Sequence, residues 1–299
     1  MSDVIRFPVT DIQRFTTRDG PGIRSTVFMK GCNLHCRWCH NPEAIAPKRE
    51  LSFHVRKCVG CGACAAVCSK GRFTEGRGGY VFEEDCVSCG KCAKVCPAGA
   101  ITEVSREMTK DEILKAVLRD KSFYRDGGGV TVSGGEPLLQ KDLPKLLEAL
   151  REQGIHTAVD TAFCVSWERI GAAMPYTNLF LTDIKAIDSD LHRQLTGVGN
   201  ELILQNIRSL AASGHPFWIR IPVIPGLNSG ELPQIAEFVR SLNRPDVPVE
   251  LIPYHNMAGG KYASLGLDAP LQELQPPKKE EMDIFYRLFD GLKRVEYAS

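Results

Sequence analysis

Eleven of the chain's twelve cysteines lie between residues 32 and 96, in three tight runs. Two runs share the spacing C-x2-C-x2-C-x3-C: Cys58, Cys61, Cys64 and Cys68, then Cys86, Cys89, Cys92 and Cys96. The third, "KGCNLHCRWCH" (30–40), sets Cys32, Cys36 and Cys39 at C-x3-C-x2-C with no fourth thiol beside it. Four thiols within eleven residues leave the backbone little choice but to wrap a small inorganic centre. The start "MSDVIRFPVTDIQRF" lacks the basic-then-apolar pattern of a signal peptide, and no apolar run approaches the roughly 20 residues that span a bilayer. The expected compartment is therefore the cytoplasm, where thiols stay reduced and clustered cysteines point to metal rather than disulfides.

The paired runs are those of a bacterial two-cluster ferredoxin, in which the fourth cysteine of each run reaches across to the other cluster. One [4Fe-4S] cluster is thus assigned to Cys58, Cys61, Cys64 and Cys96, the second to Cys86, Cys89, Cys92 and Cys68. Gly60, Gly62 and Gly90 allow backbone N–H groups to turn toward sulfur. Ser69 replaces the proline that usually follows a fourth cysteine; Pro97 keeps it. With these eight thiolates mutually satisfied, Cys32, Cys36 and Cys39 form a set of three. A three-thiolate cluster leaves one iron open to a substrate, as a catalytic zinc keeps an open position. Cys164, alone in "TAFCVSWE", reads as a small packed residue.

Beyond residue 105 the pattern changes. "GVTVSGG" (129–135), "HTAVDT", "NLFLTDIK", "FWIRIPV" and "VELIPYH" read as strands. Between them, "LPKLLEAL" (143–150), "VSWERIGAAM", "ELILQNIRSLAASG" and "LPQIAEFVRSL" read as helices. "TKDE" (109–112) fits a capping box opening one more helix. Strands alternating with helices imply a parallel sheet. With "STVFMKGC" (25–32) there are about six β/α units, predicting a partial, open (β/α)6 barrel of the TIM type. Polar residues cluster at strand C-termini: Glu136, Asp160, Asp183, Lys185, Arg220 and His255. Parallel barrels place their chemistry at that end. The expected division is 1–48 and 106–299 as barrel, and 49–105 as a 2[4Fe-4S] ferredoxin-like insert. A net charge of +1 offers no electrostatic case for nucleic acid or an anionic membrane surface. A monomer is expected.

C-x3-C-x2-C at the end of a first barrel strand resembles the radical S-adenosylmethionine (SAM) enzymes. The resemblance implies that the open iron chelates SAM and that one electron cleaves it to a hydrogen-abstracting 5′-deoxyadenosyl radical. "SGGEP" (133–137) is similar to the motif in which Gly134, Gly135 and Glu136 meet the SAM methionine amine. Across nearly the whole chain, "RDGPGIRSTVFMKGC", "WCHNPE", "DT" (160–161), "DIK" (183–185), "RIPVIPGLN" and "LIPYH" resemble one branch, the glycyl radical enzyme activating enzymes that carry a ferredoxin insert.

That resemblance implies the remaining roles. Trp38 and His40 flank the adenine, and His255 the adenosine. Asp183, Ile184 and Lys185 lie by the carboxylate and ribose, with Lys185 grouped with the three cysteines as catalytic. Asp160, Thr161 and Asp183 hold a monovalent cation, and Arg220 meets an anionic group of SAM or the partner loop. The implied partner is a glycyl radical enzyme, from whose backbone glycine a hydrogen atom is taken. The implied electron donor is flavodoxin or ferredoxin, and the implied host is anaerobic. Two other readings stay open: a radical SAM enzyme acting on a small molecule or peptide, and a non-catalytic electron-transfer module. The latter leaves the barrel and the third cysteine run unused.

Overall fold

The computed structural model describes residues 4–69 and 86–295. Its main sheet has eight strands in the order β10-β9-β8-β7-β6-β2-β1-β5. Six of them run parallel: β2 (Arg24–Met29), β6 (Gly129–Gly134), β7 (His156–Thr161), β8 (Leu179–Asp183), β9 (Phe217–Val223) and β10 (Val249–Pro253). This is the partial parallel barrel that the alternating pattern predicts. Two strands escape that pattern. β1 (Arg6–Thr16) pairs antiparallel with β2, and β5 (Arg106–Thr109) antiparallel with β1.

The outer face of the sheet is apolar because buried parallel strands have no solvated side. Val27, Val132, Val159, Phe180, Phe217, Ile219 and Ile221 pack there against α4 (Leu143–Glu152), α7 (Glu201–Ser213) and α8 (Leu232–Ser241). On α4 the predicted stripe of Leu143, Leu146, Leu147 and Leu150 is wholly buried. Helix α3 (Lys110–Leu118) opens on the predicted capping box. The Glu112 N–H donates to Thr109 Oγ1 at 3.1 Å, and the Glu112 carboxylate accepts from the Thr109 N–H at 2.7 Å. No helix among the described residues is long and apolar enough to cross a membrane.

At the start of β2, Arg24 is fully buried and fans its guanidinium into the loop before it. It donates to Thr131 Oγ1 at 2.6 Å, Val130 O and Gly127 O at 2.9 Å, and Pro21 O at 3.1 Å. Burial pulls its pKa down to about 10.

The cysteine-rich region forms its own small unit. β3 (Leu51–Phe53) and β4 (Ile101–Glu103) pair antiparallel and frame the short helices α1 (Ala63–Val67) and α2 (Lys91–Val95). Leu51, Cys92 and Ile101 are its buried centre. Gly62 and Gly90 start the two helices with φ of 70° and 76°, a turn that any side chain would strain. Lys30, 1% exposed at the end of β2, ties the unit to the barrel. Its Nζ lies 2.7 Å from both Glu50 Oε2 and Glu43 O.

Candidate active site

The C-terminal ends of the parallel strands surround a cavity of about 250 Å³, near the low end of the roughly 300–1,000 Å³ usual for ligand pockets. Twelve of the residues singled out in the sequence line it: Cys32, Cys36, Trp38, Cys39, His40, Gly134, Gly135, Asp160, Thr161, Asp183, Lys185 and Arg220. These come from β6 to β9 and from the loop after β2. A chain of backbone contacts brings that loop over the sheet edge. Gly135 N–H donates to Met29 O, Glu136 N–H to Gly31 O, Gly31 N–H to Ala44 O and Cys32 N–H to Ile45 O, each at 2.8 Å. The two glycines make this approach possible. A Cβ on Gly134 would run into the Met29 backbone, and one on Gly135 into the carbonyls of Gly31 and Ala44.

Three expected residues stand outside the cavity. Glu136, 1% exposed, lies behind its wall. Its oxygens accept from the Thr161 hydroxyl at 2.8 and 2.9 Å, from Ala162 N–H at 2.9 Å and from Leu138 N–H at 3.1 Å. Burial nevertheless pushes its pKa up to about 7, against the pull of these donors. Ile184, 1% exposed, is core. His255 lines a neighbouring hollow of about 20 Å³ together with Trp38, Cys39 and His40. Its ring stacks on that of His40, centroids 3.9 Å apart and planes 11° from parallel. Its Nδ1 is buried without a hydrogen-bond partner.

Other residues join the site without having been singled out individually in the sequence. Ser133 and Tyr254 line the main cavity. The Ser133 hydroxyl donates to Asp160 Oδ2 at 2.8 Å, and Tyr262 OH donates to Cys39 O at 3.1 Å. Lys261 bonds Asn41 Oδ1 and Glu43 Oε1, clamping the far side of the cysteine loop. Ser133 and Tyr254 fall within the quoted motifs "SGGEP" and "LIPYH", which mark their neighbours rather than them. Nothing local marks Tyr262 or Lys261.

The cavity floor is charged. Lys185 Nζ is 2.5 Å from Asp183 Oδ2. Arg220 reaches Asp160 Oδ2 at 3.2 Å and Glu250 Oε2 at 3.1 Å. Burial opposes both cations, but the surrounding carboxylates outweigh it and hold their pKa values above the ordinary ones. Burial pushes the Asp160 carboxyl above its usual value, opposed by Arg220.

The three thiols suit an iron–sulfur cluster. Burial pushes Cys32 and Cys39 up to about 12 and raises Cys36 as well, so each is a neutral thiol until a metal displaces its proton. The Leu34 N–H points at Cys32 Sγ at 3.4 Å, the kind of backbone donor that stabilises a coordinated thiolate. Among the described residues no three His, Cys, Asp or Glu side chains stand close enough to hold a single metal ion. A four-iron cluster spreads its thiolates over separate irons instead.

Two family profiles match the chain: the Radical SAM superfamily over residues 83–239 and the 4Fe-4S dicluster domain over residues 57–100. The first begins after the loop of Cys32, Cys36 and Cys39, so those three rest on spacing and geometry. Among curated proteins, the isethionate sulfite-lyase activating enzyme of Nitratidesulfovibrio vulgaris is 39% identical, covering 88% of this chain and 89% of its own. The trans-4-hydroxy-L-proline dehydratase activating enzyme of Clostridioides difficile is 38% identical over 95% of this chain and 96% of its own. The benzylsuccinate synthase activating enzyme of Thauera aromatica is 40% identical over 86% and 81%.

Proposed function

We infer that this chain, which belongs to the radical SAM activating enzymes of glycyl radical enzymes, holds SAM in the strand-end cavity against a cluster carried by Cys32, Cys36 and Cys39. The observation that carries the reading is that the three thiols share one cavity with Asp160, Thr161, Asp183, Lys185 and Arg220. The bound cluster and SAM supply the radical chemistry, which takes one hydrogen atom from a backbone glycine of the partner enzyme.

The chain's own groups bind and orient. Lys185, kept charged by Asp183, offsets the negative charge of the thiolates and offers an ammonium to a carboxylate. The Gly134–Gly135 backbone forms the wall against which the amino-acid end of SAM fits. Trp38 and His40 on the cavity wall give flat surfaces for a purine, with the His255 ring stacked on His40. Asp160, Thr161 and Asp183 supply oxygens for a monovalent cation, which would neutralise carboxylates that Arg220 and Lys185 leave in excess.

Cys58, Cys61, Cys64 and Cys96, and Cys86, Cys89, Cys92 and Cys68, would hold two further [4Fe-4S] clusters, which would supply a path for electrons from flavodoxin or ferredoxin. The domain limits are 1–48, 49–105 and 106–299, and the enzyme works as a cytoplasmic monomer. Iron analysis tests the core of this reading. Wild type should hold about twelve irons per chain, and Cys36→Ala about eight. In wild type alone, added SAM should perturb the reduced-cluster EPR signal, and a cognate partner enzyme should then gain a glycyl radical doublet. Unchanged iron content and an unchanged SAM response in Cys36→Ala would refute it.

A further inference from the structure

We propose that the exposed loop 55–62 is the docking surface for a small, acidic one-electron carrier protein. The cluster beside it, at Cys58, Cys61, Cys64 and Cys96, is then the entry point, and that of Cys86, Cys89, Cys92 and Cys68 is the inner relay. This rests on the electron-relay reading and adds to it a direction, a surface and a partner chemistry.

The direction comes from how the cysteine-rich unit is mounted. Its barrel end is marked by Glu50, held by the buried Lys30, and by the Val104 N–H that donates to Glu50 O at 3.0 Å. The Arg49–Glu103 ion pair lies at the same end. Gly90 is buried there, and a Cβ on it would collide with both side chains of that pair. The loop carrying Cys86 and Cys89, itself exposed, therefore lies at the barrel end of the unit. β3 runs away from this end, from Leu51 to Phe53 opposite Ile101. At its far end the His54 N–H donates to Ala100 O at 2.7 Å, and the Ala100 N–H to Cys96 Sγ at 3.2 Å. Cys58 lies beyond. Cys96 thus sits at the outer end, where its assignment to the first cluster requires it.

The outer loop has the character of a transient docking surface. Every residue from 55 to 62 is exposed, the ligand positions Cys58 and Cys61 included. Val55 and Val59 are 55% and 69% exposed. Arg56 and Lys57 stand between them, and neither is paired with a carboxylate among the described residues. The segments that carry the cysteines, 54–69 and 86–100, hold four cations, Arg56, Lys57, Lys91 and Lys94, and no Asp or Glu, whereas 49–105 as a whole has eight Lys or Arg against six Asp or Glu. In a chain of net charge +1 this is a local field, and it steers an acidic partner. The small apolar area suits the limited interfaces of electron-transfer encounters.

The reaction names the occupant. Each SAM cleaved at its C5′–S bond consumes one electron, and the carrier is oxidised by one electron to supply it. The glycyl radical partner has a different requirement: its glycine must reach the cavity at the strand ends, on the barrel rather than at the outer end of the insert.

Oxidised flavodoxin is the probe, titrated by calorimetry into cluster-loaded protein at low ionic strength and at about 0.3 M salt, where the Debye length is well below 10 Å. Arg56→Glu/Lys57→Glu should weaken binding at least tenfold at low salt and flatten its salt dependence. Lys91→Glu/Lys94→Glu should weaken it less than threefold. Iron content and dithionite-driven SAM cleavage should stay within twofold of wild type in both. Should charge reversal cost iron, Arg56→Gln/Lys57→Gln reads the same surface more gently. Unchanged flavodoxin binding in the outer-loop variant overturns the proposal, as does a larger effect of the Lys91/Lys94 pair, or weakened binding of the glycyl radical enzyme in place of the carrier. Absence of dithionite-driven SAM cleavage in wild type would instead sink the functional reading itself.

Discussion

Replacing Gly135 by alanine adds one methyl group at the point where the sheet edge supports the three-cysteine loop. The new Cβ would lie 2.7 Å from Ala44 O, 2.6 Å from the Gly31 carbonyl carbon and closer still to Gly31 O. All are backbone atoms, so no side chain can swing aside. An ordinary carbon–oxygen contact is about 3.4 Å, so the loop must retreat by roughly 0.7 Å or more. Overpacking of this kind costs about 1–3 kcal/mol. The bonds Glu136 N–H to Gly31 O and Gly31 N–H to Ala44 O, now 2.8 Å each, would stretch with it, adding about 1 kcal/mol for each one lost. Cys32 moves with Gly31, and a constellation of this kind tolerates only about 0.5 Å.

Gly135→Ala should therefore lose the iron of the three-cysteine site while keeping that of the insert, falling from about twelve irons to about eight. SAM cleavage should disappear with it. Gly171 is the control. It lies inside α5 (Trp167–Ala173), and a Cβ there meets nothing within 4 Å, so Gly171→Ala should keep all its iron and gain roughly 0.5–1 kcal/mol. Iron and sulfide analysis with thermal melting decides the matter. A Gly135→Ala protein with full iron content, wild-type SAM affinity and a melting point within 1 °C of wild type would refute the steric argument.

Two further outcomes follow from the same geometry. Glu136→Gln should change SAM affinity less than threefold in equilibrium dialysis, because the carboxylate is engaged behind the cavity wall; a hundredfold loss at unchanged iron content would put it on the ligand. His156, beside Arg24, has its pKa held down to about 4, mainly by burial and then by that cation, against about 6.5 in an unfolded chain. Between these values the unfolded state binds the extra proton and the folded state does not, so stability falls as pH drops from 6.5 toward 4. Circular-dichroism melts between pH 7 and 4.5 should show a shallower decline for His156→Gln, and parallel curves for the two proteins would exclude this origin.

The parts of the protein legible in its sequence are those whose physics is local. Buried parallel strands such as "GVTV" are continuous apolar runs, so the six-stranded core could be read directly, and the fixed offsets of the cysteines are what suggest the eleven ligand assignments. β1 alternates and contains Pro8, with half its residues facing solvent, and β5 is four residues long. Neither stands out, because an antiparallel edge strand is defined by its neighbour. Helix α6 (Ser189–Thr196) is short and polar, its burial resting on His192, Leu195 and Thr196. The site divides the same way. "SGGEP" names the residues but not their orientation. Gly135 matters because it meets residue 31, and Glu136 faces Thr161 rather than the cavity, and both contacts join strands distant in sequence. The motif's glycines and glutamate thus act on the backbone that carries the cysteines. That backbone support holds Cys32, Cys36 and Cys39 in one cavity with Lys185 and Asp160, so the shape of so short a motif, as much as its chemistry, sets the third cysteine run apart from the other two.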